Sequence, residues 1–441
     1  MKNSTKWLGA LLLMGFIAFM GIFLPSSDFG FASEGIVAGD VAWMLTATAL
    51  VLLMTPGLAF FYGGMVDPKN IISTILQSFI SMGIVSVIWI IFGFSLAFGE
   101  SIGGPGSGWI GNPLTYFMFQ NVGGAPHPEM APTFPFALFA LFQLKFAIIT
   151  PALITGSFAG RVRFRAYMVF ITLFTIFIYT PLAHWTWHPN GILRNWGVLD
   201  FAGGTVVHMS AGFAALAGAM FLGKRKDYDA PERRANIPFV LLGAGMLWFG
   251  WFGFNAGSAL EASSTAVLAL LNTNTASAAA MMTWVFLDGA RGQKPSALGA
   301  AIGLVVGLVA ITPAAGFVDV GASVCIGVIA AGISNYAITL QGKMSLDDTL
   351  DVFPAHGMGG ITGMILTAVF AHEVGLMSGE ITTFLMHLLA LVLVGLFTFG
   401  GSYLLYWITD QFVPLRVSEE SEEVGLDFSQ HSESYGFAYK D

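Results

Sequence analysis

The sequence predicts an all-α protein that crosses a membrane many times, and three observations support that class. Hydrophobic residues make up 55% of its 441 residues and charged residues only 10%, against roughly 25% charged residues in a soluble domain. The mean hydropathy of +0.74 implies more apolar surface than a water-facing shell can cover, whereas a bilayer accepts it. The 54 glycines favour close helix packing over the short alternating strands of a β-barrel.

The first 32 residues have the layout of a signal peptide. Lys2 and Lys6 precede an apolar run over residues 8–24, and small residues around positions 30–32 flank a cleavage site. Because the run is long for the apolar part of a signal peptide, an uncleaved first helix is the alternative. We predict a signal peptide over residues 1–32.

Eleven apolar segments follow, each long enough to cross about 30 Å of hydrocarbon at about 1.5 Å per residue. In chain order, the first to eleventh spans are residues 40–63, 71–98, 132–158, 165–184, 200–223, 236–258, 262–287, 295–312, 320–340, 352–371 and 380–408. They make up a transmembrane domain over residues 33–408, with a tail over residues 409–441.

The basic residues predict the orientation of these spans. Lysines and arginines concentrate on the cytoplasmic side of a membrane, and here they fall in alternate loops, with Arg194 as the exception. We therefore expect the mature N-terminus outside an inner or plasma membrane, and the tail in the cytoplasm.

The spans divide into two five-helix repeats, at about 40–223 and about 236–371, followed by a last helix over 380–408. An odd number of helices in a repeat inverts its second copy in the membrane. Transporters built this way commonly hold their substrate at the repeat interface, near the midplane.

The fifth and tenth spans each begin with an aspartate followed by a histidine. Asp200 precedes His208, and Asp351 precedes His356. Each aspartate suits a helix N-terminus, where a carboxylate accepts free amide groups, and Asp200, on the outer side, is also placed to attract a cation. The histidines fall near mid-membrane, where they either hydrogen-bond along one pore or pack separately between helices.

Aromatic residues provide the other candidate site. Phe142 and Phe146 share one face of the third span, and Phe254 lies in the sixth span. Among 40 phenylalanines, plain packing is the alternative for each. Trp187, at the outer end of the fourth span, belongs either to the aromatic belt of the membrane interface or to a pore mouth, where its ring attracts a small cation. Lys145, beside Phe146, must reach the membrane surface, find a partner or lose its charge.

The composition excludes several other kinds of site. Cys325 is the single cysteine, so an intramolecular disulfide and cysteine-rich metal sites are excluded. The sequence has neither a glycine-rich phosphate loop followed by lysine nor a cluster with metal-ligand spacing, so we expect no ATP-driven step, metal or cofactor. The net charge of −8 reflects acidic residues crowded in the tail, and nucleic acid is not an expected partner.

Together these motifs resemble those of the ammonium transporter family, the Amt, Mep and Rh proteins. The matching segments occur in order and cover nearly the whole mature chain. They are residues 56–64 (PGLAFFYGG), 142–150, 200–208 (DFAGGTVVH), 250–258 (GWFGFNAGS), 351–357 and 415–427. Trp187 and Ser258 place the resemblance with the Amt branch rather than the Rh branch.

The resemblance implies an outer ammonium recruitment site, an aromatic gate and a pore lined by two histidines. The residues are Trp187, Phe142 and Ser258 for recruitment with Asp200 in support, Phe146 and Phe254 for the gate, and His208 and His356 for the pore. It further implies that ammonium is deprotonated at the outer site, that ammonia crosses the hydrophobic pore, and that the proton moves separately. Such a protein is a transporter and not an enzyme. An ammonium sensor without net flux and a neutral-gas channel of the Rh type are the alternatives.

The family resemblance also implies partners. Members form homotrimers with one pore per subunit, and cytoplasmic PII signal proteins often block the bacterial and archaeal ones. In the tail, residues 425–427 are expected to dock on a neighbouring subunit. Three positions depart from the family pattern, namely Lys145, Gly160 and His188.

Overall fold

The chain folds as a helical bundle in a computed structural model that describes residues 2–25, 27–29, 34–230, 233–344 and 346–436. Over these residues it has helices and isolated β-bridges but no named strand, so the predicted all-α class is confirmed. Nine helices among the described residues are long and apolar enough to cross a membrane. They are Ala38–Met65, Pro68–Phe98, Phe136–Phe158, Phe164–Asn195, Gly204–Leu222, Ile237–Gly257, Val320–Met344, Phe353–Phe370 and Ile381–Phe412.

The other two predicted spans are also helical but make weaker candidates. The seventh is the helix Ser264–Ala290, which is 27 residues long but carries asparagines and threonines that lower its hydropathy. The eighth is the helix Ala297–Ile311, which has 15 residues and is short for the hydrocarbon thickness. The two helices pack against each other along their length. The count of eleven spans therefore stays a prediction.

A further helix, Lys2–Ile22, precedes the bundle. The guanidinium of Arg165 lies 5.7 Å from the centre of the Trp7 ring, and Ser27 donates a hydrogen bond to the carbonyl of Phe119 at 2.5 Å. The predicted cleavage region at residues 30–32 lies outside the described residues. Cleavage therefore stays a prediction.

The fifth and tenth spans both begin with a wide, π-helical turn. These turns are Gly204–Met209 and Phe353–Gly357. Each turn carries one of the two predicted pore histidines, His208 and His356, and both side chains are buried. Turns of this kind interrupt the regular helical hydrogen bonds and are frequent at functional sites.

The aspartate that caps the tenth span is Asp348, and the prediction that Asp351 caps it is wrong. The carboxylate of Asp348 accepts a hydrogen bond from the Phe353 amide at 2.7 Å. Asp351 instead has a positive φ of 55°, and its carboxylate accepts a hydrogen bond from Gln341 at 3.2 Å. With Asp348 as the cap, the fifth and tenth spans correspond closely, since Asp348 precedes His356 by eight residues, as Asp200 precedes His208.

Buried charges link the helix ends on the side that is predicted to be the inner one. Arg161 forms an ion pair with Asp347 at 3.0 Å, and both side chains are at most 1% exposed. Burial lowers the pKa of Arg161 to about 10, so it stays charged at neutral pH. Burial also raises the pKa of the neighbouring Asp348 to about 6. Gly160, one of the departures from the family pattern, has a φ of +79°, which glycine adopts most readily.

The tail lies against the inner face of its own chain, in two short helices, Glu419–Val424 and Leu426–His431. The carboxylate of Asp427 accepts hydrogen bonds from the amides of Ile72 and Ser73 at 3.0 and 2.8 Å, at the start of the second span. This contact corrects the prediction that residues 425–427 dock on a neighbouring subunit.

Candidate functional site

A cavity of about 420 Å³ opens between the helix ends on the side that is predicted to be the outer one, and is called the outer cavity below. Three of the four predicted recruitment residues, Trp187, Ser258 and Asp200, line it. Glu129 also lines it and is exposed, so a carboxylate stands near the opening. Sequence reasoning missed Glu129 because it lies in a loop without a recognisable motif.

Ser258 offers an oxygen that can only accept hydrogen bonds. Its hydroxyl donates to the carbonyl of Phe254 at 2.8 Å, so its single hydrogen is already used. The remaining lone pairs are suited to an N–H donor in the cavity. Trp187 is half-buried, and its indole N–H donates to the Asp200 carbonyl at 3.2 Å, which fixes the position of the ring.

Asp200 organises the start of the fifth span. Its carboxylate accepts hydrogen bonds from the amides of Gly203, Gly204 and Thr205 at 2.8, 2.6 and 2.7 Å. The Thr205 hydroxyl donates a fourth at 2.5 Å. Since Asp200 is 7% exposed and both its oxygens are engaged, it supports the site through the backbone, as a helix cap, rather than through free lone pairs.

Two phenylalanine rings lie in contact at the floor of the outer cavity. The ring centres of Phe146 and Phe254 are 4.2 Å apart and their planes are inclined by 33°. Phe146 lines the cavity, and its ring centre is 5.7 Å from that of Trp187. Phe142, the fourth predicted recruitment residue, does not line the cavity and instead packs edge-on against Phe146, with ring centres 4.9 Å apart.

The two predicted pore histidines meet directly. The Nδ1 atoms of His208 and His356 are 3.3 Å apart, so one ring carries its hydrogen on Nδ1 and the other on Nε2. The Nε2 atom of His208 is buried and has no hydrogen-bond partner among the residues that the structure describes. Buried polar atoms are rarely left unpaired, so this atom is a candidate contact for a small polar solute.

The space around the histidines is narrow and almost wholly apolar. A cavity of about 10 Å³ touches both rings and is otherwise lined by apolar and aromatic side chains, among them Leu58, Val207 and Trp251. That volume is about the space that one water molecule needs. Trp251 stacks on His208 at 5.3 Å and holds the ring in place. A bare cation would lose its hydration shell here without replacement ligands.

A third buried histidine, His387, supports the outer site, and sequence reasoning missed it. Its Nδ1 lies 2.9 Å from the carbonyl of Met364, so this nitrogen is the donor. Its Nε2 accepts a hydrogen bond from the Leu199 amide at 2.9 Å, next to Asp200. A lone histidine in the apolar run of the eleventh span was the signal that could have found it.

His188, another departure from the family pattern, belongs to a separate pair. Its ring stacks on His184 at 4.3 Å, and His184 hydrogen-bonds to the Ala97 carbonyl at 3.0 Å and to Ser101 at 2.9 Å. The pair links the end of the fourth span to the end of the second.

Comparison with known proteins identifies the family of the chain. The Ammonium Transporter Family matches residues 42–435. An ammonium transporter of Aquifex aeolicus is 45% identical over 426 residues, covering 95% of this chain and 98% of that protein. The crystal structure of Candida albicans Mep2 superposes with a TM-score of 0.83 at 35% identity, covering 88% of each chain. A structure described as a sensor Amt protein superposes with a TM-score of 0.82 at 30% identity, covering 89% of this chain and 98% of that one.

The family match and the 45% identical relative each cover most of the chain. They confirm the resemblance that the sequence motifs indicated. This multi-pass membrane protein belongs to the ammonium transporter family.

Proposed function

We propose that the protein transports ammonium by capturing it in the outer cavity, deprotonating it, and conducting ammonia between the two histidines while the proton moves separately. The proposal depends on one observation, namely that the outer cavity, the phenylalanine pair and the two histidines follow one another along one path. The cavity of about 420 Å³ ends at the Phe146–Phe254 pair, and the linked histidines follow, with Phe254 and His208 ring centres 6.0 Å apart.

Each part of this line has a chemical task. The Ser258 oxygen and the Trp187 ring attract a small cation that can donate hydrogen bonds. The phenylalanine pair and the apolar walls exclude a charge, so that ammonia passes and a metal cation does not. Histidine nitrogens, which can both donate and accept, provide a polar path for ammonia or a proton through that apolar space.

Flux into liposomes tests the proposal. Vesicles with the protein and an internal pH dye receive an ammonium gradient, with the membrane potential held inside-negative by potassium and valinomycin. Ammonium that enters with its proton should make the interior more acidic than that of empty vesicles, because ammonia diffuses back out and leaves the proton behind. Faster alkalinisation would instead indicate a neutral-gas channel. Responses identical to those of empty vesicles would contradict transport and indicate a sensor.

The sensor alternative is not favoured. The likeness to a sensor Amt protein is at 30% identity, whereas an ammonium transporter is 45% identical over nearly the whole chain. A family of membrane transporters also points away from an enzyme.

The proposal includes the predicted surroundings of the pore. We place eleven spans and an inverted pair of repeats in an inner or plasma membrane, with the mature N-terminus outside and the tail inside. The two short tail helices and the basic residues of the inner face, such as Arg225, form the surface available to a PII signal protein. A homotrimer with one pore per subunit is the proposed assembly.

Replacing Trp187 by leucine should weaken cation capture. Loss of the aromatic ring removes a cation–π attraction of about 0.5–2 kcal/mol, so the half-saturating ammonium concentration should rise by about 2-fold to 30-fold. Concentration dependence of the ammonium-evoked current measures this. Trp185→Leu is the matched control, because Trp185 does not line the outer cavity and its indole donates to the Trp109 carbonyl. Equal concentration dependence in Trp187→Leu and the wild type would argue against the capture role.

Replacing His387 by leucine should also weaken capture, through the backbone. The change leaves the Leu199 amide without an acceptor beside Asp200, whose carbonyl holds the Trp187 indole. A buried unpaired amide costs about 1–3 kcal/mol, and a loss of about 1 kcal/mol would raise the half-saturating concentration about fivefold. In a Trp187→Leu background, His387→Leu should raise the half-saturating concentration little further, because both changes act through the Trp187 ring. Full additivity of the two effects would contradict this link.

A further inference from the structure

Lys145 is a basic residue within a predicted membrane span for which the described residues supply no partner. It lies nine residues into the third-span helix Phe136–Ile154, where Leu141 and Lys145 are the residues that are not buried. Over the described part of the chain its ammonium has no hydrogen bond or ion pair. An unpaired cation about 13 Å below the start of a span costs a few kcal/mol in lipid. A partner from outside the chain would remove that cost.

Asn274 is a second isolated polar residue on the outside of the bundle. It is exposed and lies on a face of the seventh span shared by Val267 and Leu271, which are 68% and 44% exposed. Its side chain has no hydrogen bond within the described residues. The neighbouring Thr275 differs, because its hydroxyl donates to the Leu271 carbonyl at 2.8 Å.

The two residues lie at the same depth in the membrane. Lys145 adjoins Phe146, whose ring contacts Phe254 at 4.2 Å. The residue after Phe254 is Asn255, and its amide donates to Thr273 at 2.8 Å, next to Asn274. Helix geometry agrees, since both spans enter from the outer side and Lys145 and Asn274 lie about 13 and about 15 Å along them.

They also lie on different sides of the subunit. The third span packs mainly on the first and second spans, and the seventh on the sixth, eighth and ninth. The sixth span lies between them, since Phe254 faces the third span and Asn255 the seventh. Lys145 and Asn274 therefore do not meet within one chain. When copies inserted in the same orientation form a closed ring, one face of each subunit meets a different face of the next. Residues that meet across such an interface lie at equal depth in the membrane.

We infer that, in the assembly, the ammonium of Lys145 in one subunit donates a hydrogen bond to the side-chain oxygen of Asn274 in the next. The occupant of the surface around Lys145 is thus a second copy of this chain, through its seventh span. The inference rests on the proposed homotrimer. It explains why a helix as polar as Ser264–Ala290 faces outward, because its exposed amide is covered by a neighbour rather than by lipid. Hydrogen bonds between membrane helices contribute about 0.6–2 kcal/mol each, and a closed trimer holds three.

Thiol cross-linking of the full chain in membranes tests the contact. Cys325 is the single cysteine, so a Cys325→Ser background carries only the introduced thiols. Lys145→Cys and Asn274→Cys are combined and treated with a short bifunctional thiol reagent, because a direct disulfide needs Cβ atoms within about 4.5 Å. We expect covalent trimers on denaturing gels. Each single variant, and Lys145→Cys combined with Val285→Cys, should give none, since Val285 lies 11 residues, about 17 Å, deeper on the same face.

A charge exchange tests the chemistry of the pair. Asn274→Lys places like charges together and should lower the temperature at which the oligomer dissociates, while Asn274→Asp should raise it. Exchanging the residues, as Lys145→Asn with Asn274→Lys, should restore the wild-type temperature. No cross-link between positions 145 and 274 in oligomers that transport ammonium normally would overturn the inference and leave the function intact. Cross-linked trimers without flux would support the inference and contradict the proposed function. A monomeric protein would overturn the inference.

Discussion

Replacing His208 by alanine should reduce the ammonium-selective current by about tenfold or more. The change removes the hydrogen-bond partner of His356 Nδ1, now 3.3 Å away, and the one unpaired polar atom that His208 presents to the pore. Leaving a buried polar group unpaired costs about 1–3 kcal/mol, and about 1.4 kcal/mol corresponds to tenfold in rate. The added space should also weaken discrimination against potassium.

The measurement compares ammonium and potassium currents of the variant and the wild type at equal protein density. His372→Ala is the matched control, because the His372 side chain is 45% exposed and lies 3.7 Å from Asp319, away from the pore. An unchanged, ammonium-selective current in His208→Ala would contradict the assignment of the histidine pair to the conduction path.

Replacing Asp200 by alanine should have the largest effect on folding among the site residues. It leaves four buried donors without their acceptor, which are the amides of Gly203, Gly204 and Thr205 and the Thr205 hydroxyl. At about 1 kcal/mol or more for each, we expect a loss of about 3 kcal/mol or more and a Tm about 5–10 °C lower. Capture of ammonium should fail in the same variant, because the Trp187 indole loses its fixed acceptor.

Thermal unfolding in detergent and transport in vesicles measure the two effects. Asp40→Ala is the matched control, since Asp40 is as buried as Asp200, at 7% exposed, but accepts a single hydrogen bond, from the Ala262 amide at 2.8 Å. Its Tm should fall by less. Wild-type Tm and transport in Asp200→Ala would show that these four hydrogen bonds do not hold the fifth span.

Local sequence patterns predicted most of the helices, because each span is a long apolar run. The seventh span shows the limit of hydropathy, since Asn272 and Thr273 lower its score although both are buried. Asn272 donates to the carbonyls of Ala315 and Val318 at 2.9 and 2.8 Å, and such tertiary partners are not visible in a linear sequence.

The site residues that could be predicted were those for which a sequence motif and the depth along a span indicated the same role. His208 and His356 could be placed by depth, and the structure brings them together. Asp351 was mistaken for the cap because three aspartates lie within five residues and its positive φ depends on the fold. His387 was missed because it comes from the eleventh span, remote in sequence from Leu199, whose amide donates a hydrogen bond to it.

Current on a solid-supported membrane measures whether the histidine-lined pore moves ammonium charge selectively, on which the proposed function depends. Purified protein in liposomes receives jumps of ammonium, potassium and methylammonium at several lipid-to-protein ratios. We expect a sustained current for ammonium and little for potassium, with a decay that slows as protein density falls. A brief charge displacement that does not depend on protein density, or an equal current for potassium, would contradict it.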